Sequence, residues 1–141
     1  MKKFLILLSA LVYFSSGSFG QANKFQSMVG LWEMVGEQES GGGLQIKDSS
    51  TISIRFMGEE KTILRYNIDF SKSPIWFDFS CRDTATVSNF KSLIEFVGDD
   101  TLKWQIFTDG ERADHFTSRS GELFYLKRVR PKSNTALYSG N

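Results

Sequence analysis

Residues 62–79 read TILRYNIDFSKSPIWFDF, and their spacing decides the fold class. Thr62, Leu64, Tyr66, Ile68 and Phe70 recur at every second position, with Arg65, Asn67 and Asp69 between them. Successive side chains of a strand point to opposite faces, so this is the period of a strand with one buried face. A helix needs apolar residues at i, i+3, i+4 and i+7, which the stretch does not supply. Ser71-Lys72-Ser73-Pro74 breaks the chain, and Ile75, Phe77 and Phe79 resume the alternation around Trp76 and Asp78.

The same period extends to both sides. Residues 51–57 place Ile52, Ile54 and Phe56 on one face, and Gly58-Glu59-Glu60 reads as a turn. Residues 92–97 and 101–107 form a hairpin about Gly98-Asp99-Asp100, with Leu102, Trp104 and Ile106 aligned. Asp109-Gly110 is a further turn signal, residues 123–129 give the last strand, and residues 30–36 the first. Gly41-Gly42-Gly43 reads as a flexible connection, and the polar stretch 81–89 as a loop. Seven or eight short strands result, with no long amphipathic helix in the mature chain. An antiparallel up-and-down meander of this kind closes into a β-barrel because closure removes exposed edges. The expected class is all-β.

The chain has 141 residues, a formal charge of +1, one Cys and one His. A His/Cys metal site needs about three or four ligands, so none is expected here. Near-zero charge argues against a nucleic-acid footprint. Residues 1–20 carry Lys2 and Lys3, an apolar run from Phe4 to Phe14, and small residues up to Gly20. That order reads as a cleaved signal peptide, cut after Gly20 or Ala22, and the run is short for a membrane span. No Cys follows it, so no bacterial lipoprotein anchor is expected, and the localisation read is secreted or periplasmic. Without the signal the charge becomes −1, and sixteen of the twenty aromatics remain. Residues 27–130 are the expected barrel domain and 131–141 a flexible tail.

Several segments resemble a family of small, largely uncharacterised bacterial lipocalin-like (calycin-type) domains. They are Val29-Gly30-Leu31-Trp32-Glu33, residues 66–78, the hairpin 96–104, Arg112 with Phe116, and Leu126-Lys127-Arg128. The sequence departs from that family at Arg112-Ala113, where Arg-Pro is common, so the loop before the last strand is expected to differ. The resemblance implies a lipocalin-like barrel closed by Gly30, Trp32 and Arg128, with Arg128 packed over the Trp32 indole. A guanidinium over an indole gains cation–π energy and covers apolar surface with its stem.

For function, Tyr66, Trp104 and Phe124 (with Trp32) are candidates to line a small apolar ligand site in or at the mouth of the barrel. The competing reading is that they simply fill it. Asp69 and Asp78 read as carboxylates that satisfy turn amides or pair with Lys72, rather than as an acid/base pair. His115 has no neighbouring nucleophile and reads as a surface residue. Met28, Met34 and Met57 read as core fillers, and Cys81 as a buried thiol or an interchain one. No catalytic residue and no cofactor is expected. The partner is a small hydrophobic ligand or a protein. In the second case the chain is an envelope or extracellular interaction module, or a hydrolase inhibitor, acting through loops 37–47 and 81–89.

Overall fold

The computed structural model describes residues 16–36 and 41–132. One helix, α1 (Ser16–Met28), precedes eight strands: β1 (Gly30–Met34), β2 (Gly43–Asp48), β3 (Thr51–Phe56), β4 (Glu59–Asp69), β5 (Ile75–Asp83), β6 (Thr86–Phe96), β7 (Thr101–Phe107) and β8 (Glu122–Arg128). Each strand pairs antiparallel with the next, and β8 pairs with β1, so the sheet is a closed barrel. The all-β, up-and-down barrel expected from the sequence is the fold.

Register explains which side chains meet. Trp32 stands opposite Leu44 and Arg128, Leu44 opposite Ile54, Ile68 opposite Phe77, and Ile94 opposite Trp104. These inward positions form the core with Ile46, Ile52, Ile63, Leu102 and Leu126. Outward positions carry Arg55, Glu60, Arg65, Asn67, Lys91, Glu95 and Lys127. That apolar-in, polar-out alternation is the inverse of a lipid-facing barrel. Among the described residues no helix is long and apolar enough to cross a membrane.

The structure corrects the sequence expectations in five places. In β4, Ile63 pairs with Cys81 and Arg65 with Ser80, so Leu64 is an extra, bulged residue. A bulge shifts the alternation by one. Ile63 is therefore buried and Leu64 exposed, while Tyr66 and Ile68 keep the inward phase. Residues 81–89 are not a loop: they complete β5 and begin β6 around a two-residue Thr84-Ala85 turn. This hairpin projects beyond the core, so most of residues 82–89 are solvated and carry no apolar period.

Gly43 belongs to β2, and a Cβ there would collide with the Trp32 carbonyl oxygen, so this glycine serves close approach rather than flexibility. Met57 is no core filler: it is exposed in the Met57-Gly58 turn, with φ +51°.

The fifth difference is α1, which the sequence reading lacks. Its residues 16–20 overlap the expected signal, and residues 21–28 continue the helix into the folded unit, N-terminal to the expected start at 27. Only Phe25 and Met28 of its described side chains turn inward, too few to give a helical period. These two plug one end of the barrel. Met28 is fully buried and its carbonyl accepts a hydrogen bond from Trp32 Nε1 at 2.8 Å. Phe25 stacks on Tyr66 with centroids 6.4 Å apart.

The β7–β8 connection, residues 108–121, folds back over the outer wall. Gln105 Nε2 donates to the carbonyls of Thr117 (2.6 Å) and Ser120 (2.8 Å), and its Oε1 accepts from Thr117 N at 3.0 Å. The outward-pointing Leu93, Gln105 and Phe107 are thereby buried. Arg112 lies 3.7 Å above the Trp76 ring and pairs with Asp78. The connection is a strap over a second, smaller core.

Candidate functional site

Among the described residues, a cavity of about 220 Å³ lies at the end of the barrel opposite α1, the end that carries the β3–β4, β5–β6 and β7–β8 connections. Its aromatic wall is Trp104, Phe79, Phe90 and Phe124, faced by Met34, Ile54 and Ile106. Phe79 sits 5.1 Å from Phe90 and 5.9 Å from Trp104, and Trp104 6.4 Å from Phe124. These residues converge because each holds an inward position: Phe79 opposite Phe90, and Trp104 opposite Phe124.

The wall is apolar because its one polar atom is satisfied elsewhere. Trp104 Nε1 donates to Ser92 Oγ at 3.0 Å, and Ser92 Oγ donates to the Phe77 carbonyl at 2.5 Å. Buried polar groups without partners are costly, so this relay lets a tryptophan present only ring carbon to the cavity. An engineered void of about 150 Å³ is enough to hold benzene. The barrel mouth is thus roomier than a packing defect and smaller than the roughly 300 Å³ at which drug-sized sites begin.

Charge is confined to the rim. Lys61 occupies an inward position opposite Ile54 and pairs with Asp83 at 3.3 Å. Arg55, Glu122 and Thr108 complete the polar edge. Cys81 lines the cavity, is 4% exposed, and is the buried form of the two readings of this thiol. Burial pushes its pKa up, an effect the nearby Lys61 partly opposes and Asp83 reinforces.

Of the three residues expected to line a ligand site, Trp104 and Phe124 line this cavity and Tyr66 does not. Tyr66 lies toward the closed end, between Phe25 and Phe77, and its hydroxyl donates to the Ser49 carbonyl at 2.5 Å. Burial, with Asp48 nearby, raises its pKa. The alternation puts Tyr66 inward but says nothing about its height along the barrel. The sequence reading missed Phe79, Phe90, Ile54, Lys61 and Cys81. The signal for Phe79 was its place in the β5 alternation; Cys81 fell in the stretch read as a loop, and Phe90 and Lys61 lay just outside the stretches read as strands.

Gly30, Trp32 and Arg128 stand at the closed end. The Arg128 guanidinium carbon lies 4.1 Å from the Trp32 ring centroid. Its Nη1 and Nη2 donate to the carbonyls of Val29 (2.5 Å) and Ser27 (2.7 Å), which end α1. A cation against the last carbonyls of a helix is favourable. Gly30 has φ +142°, and a Cβ there would come within 2.8 Å of Arg128 Nη1.

The remaining candidates separate. Asp69 Oδ1 accepts from Ser71 Oγ (2.5 Å) and Ser71 N (2.9 Å), and those bonds hold its pKa below the ordinary carboxylate range. Asp78 pairs with Arg112 rather than Lys72, whose ammonium lies 4.7 Å over Trp76. His115 is exposed on the strap. Of the two loops expected to carry an interaction surface, residues 43–47 lie in β2, 81–89 form the β5–β6 hairpin, and 37–40 lie outside the described residues. Among the described residues no three His, Cys, Asp or Glu side chains cluster as metal ligands. No protein-family model, no curated protein and no solved structure matches the chain.

Proposed function

We propose that the protein is an exported, non-catalytic, lipocalin-like barrel that binds one small apolar molecule at its mouth. The observation that carries this reading is the cavity of about 220 Å³ against Trp104, Phe79, Phe90 and Phe124. Aromatic side chains of the barrel surround space at the end opposite α1. Interior packing is normally dense, so a void of this size with satisfied walls supports a binding role. The signal-like residues 1–20 support export, and the resemblance of residues 29–128 supports the lipocalin-like assignment.

Native mass spectrometry of protein purified from its own host tests the reading. Wild type is expected to carry a small organic adduct that Ile106→Trp, which fills the cavity, does not. Bare chain masses for both, with no uptake of added toluene by wild type, contradict it.

A further inference from the structure

We propose that the occupant is a small aromatic or similarly compact carboxylate, its ring in the cavity and its carboxylate on Lys61. This rests on the reading of the mouth as a ligand site and adds the chemical class.

Among the described residues, Arg55, Lys61 and Glu122 line the mouth, and Asp83 pairs with Lys61. They differ in depth. Lys61 holds an inward register position opposite Ile54, and its side chain is only 24% exposed. A lysine so placed keeps its stem on apolar surface and its ammonium toward water. Glu122 is also inward, opposite Ile106, but is exposed, as is Arg55 on the outer face. Coulomb interactions strengthen as the surroundings lose water, so the deepest charge dominates recognition at such a mouth. That charge is positive.

Lys61 is also incompletely used. Its ion partner among the described residues is Asp83, whose side chain is 64% exposed. A pair with one partner in solvent contributes little. An ammonium carries three donors, which leaves Lys61 able to hold a second carboxylate without losing Asp83. A cationic head group would instead meet Lys61 at close range, with the exposed Asp83 and Glu122 as its acidic neighbours among the described residues.

Volume sets the size. Scaling from the ~150 Å³ void that holds six benzene carbons, the cavity takes about nine heavy atoms. The flat walls of Phe79, Phe90 and Trp104 suit a ring, since offset-stacked and edge-on pairs add to area burial. A phenyl ring with a two-carbon arm ending in carboxylate meets both conditions.

Isothermal titration of the full mature protein with 3-phenylpropanoate, 3-phenylpropanamide and 3-phenylpropylamine at neutral pH tests this. The acid is expected to bind about tenfold tighter than the amide, as one charge-assisted contact allows, and the amine weakest. Added salt of about 0.5 M should weaken the acid and leave the amide unchanged. Lys61→Met should bring the acid down to the amide while keeping amide affinity, which also shows that the variant is folded. Glu122→Gln should preserve the order. An amide as tight as the acid, an amine tightest, or an acid preference that survives Lys61→Met overturns the carboxylate inference and leaves the mouth as an apolar site. Failure of all three compounds to bind overturns both.

Discussion

The Arg128 guanidinium lies over Trp32 at 4.1 Å, across the seam where the last strand meets the first. The contact ties β8 to a segment about a hundred residues earlier: the indole of β1 and the carbonyls of Ser27 and Val29 at the end of α1 and just past it. Nε also lies 3.4 Å from Asp100 Oδ1 on the β6–β7 turn. Arg128→Met keeps the apolar stem and removes the cation and its donors. It is expected to lower stability by about 2 kcal/mol, the sum of a partly desolvated cation–π contact and lost hydrogen bonds. Urea denaturation measures this. Arg128→Lys should recover less than half, because an ammonium cannot lie flat on the ring and serve two carbonyls together. Full recovery by lysine would show that charge alone matters at the seam.

The strap makes a second, separable use of the same chemistry. Arg112 sits on Trp76 and pairs with Asp78, with its own side chain 9% exposed and that of Asp78 36%. Arg112→Ala is expected to cost about 1–2 kcal/mol, less than a fully buried pair because Asp78 stays hydrated. It should also raise amide hydrogen exchange at Thr117, whose N–H bonds to Gln105. Arg112 does not line the mouth cavity, so ligand affinity should be unchanged. A parallel loss of affinity would contradict the independence of strap and mouth.

Cys81 reports on the mouth. Burial raises its pKa, so the folded protein holds the thiol protonated at pH values where the unfolded chain ionises. The unfolded state then binds fewer protons, and stability falls as pH rises past the ordinary thiol value of 9.0 toward the folded value. Cys81→Ala should remove that alkaline loss. In wild type, alkylation by iodoacetamide at mildly alkaline pH should be slower than for a free thiol, and slower still with the cavity occupied. Alkylation at the free-thiol rate would place Cys81 outside the cavity.

The barrel was legible in the sequence because strand alternation is a local property. Residues 66–79 give β4 and β5 with the inward face right from Tyr66 onward. Arg128 over Trp32 was reachable only through a family resemblance, since cross-seam pairing leaves no local trace. What escaped has physical reasons. The Leu64 bulge exchanges the faces of β4 without changing composition. The β5–β6 hairpin rises beyond the core, so solvent on both sides erases its period. Height along the barrel is set by register and shear, which is why Tyr66 looked equivalent to Trp104 and lies toward the other end. Lys61 stands one residue before the alternation that begins at Thr62, and only the pairing of β3 with β4 shows it inward, opposite Ile54.

The most direct test of the mouth as a ligand site is a methyl-resolved NMR titration of the mature protein with 3-phenylpropanamide, a neutral probe that does not depend on Lys61. Saturable shifts are expected at Met34, Ile54 and Ile106, with Ile46 and Ile52 in the packed half unmoved. Ile106→Trp should abolish the shifts at Met34 and Ile54. Absence of shifts at these mouth methyls up to millimolar probe, or shifts spread evenly over the outer face, would contradict it.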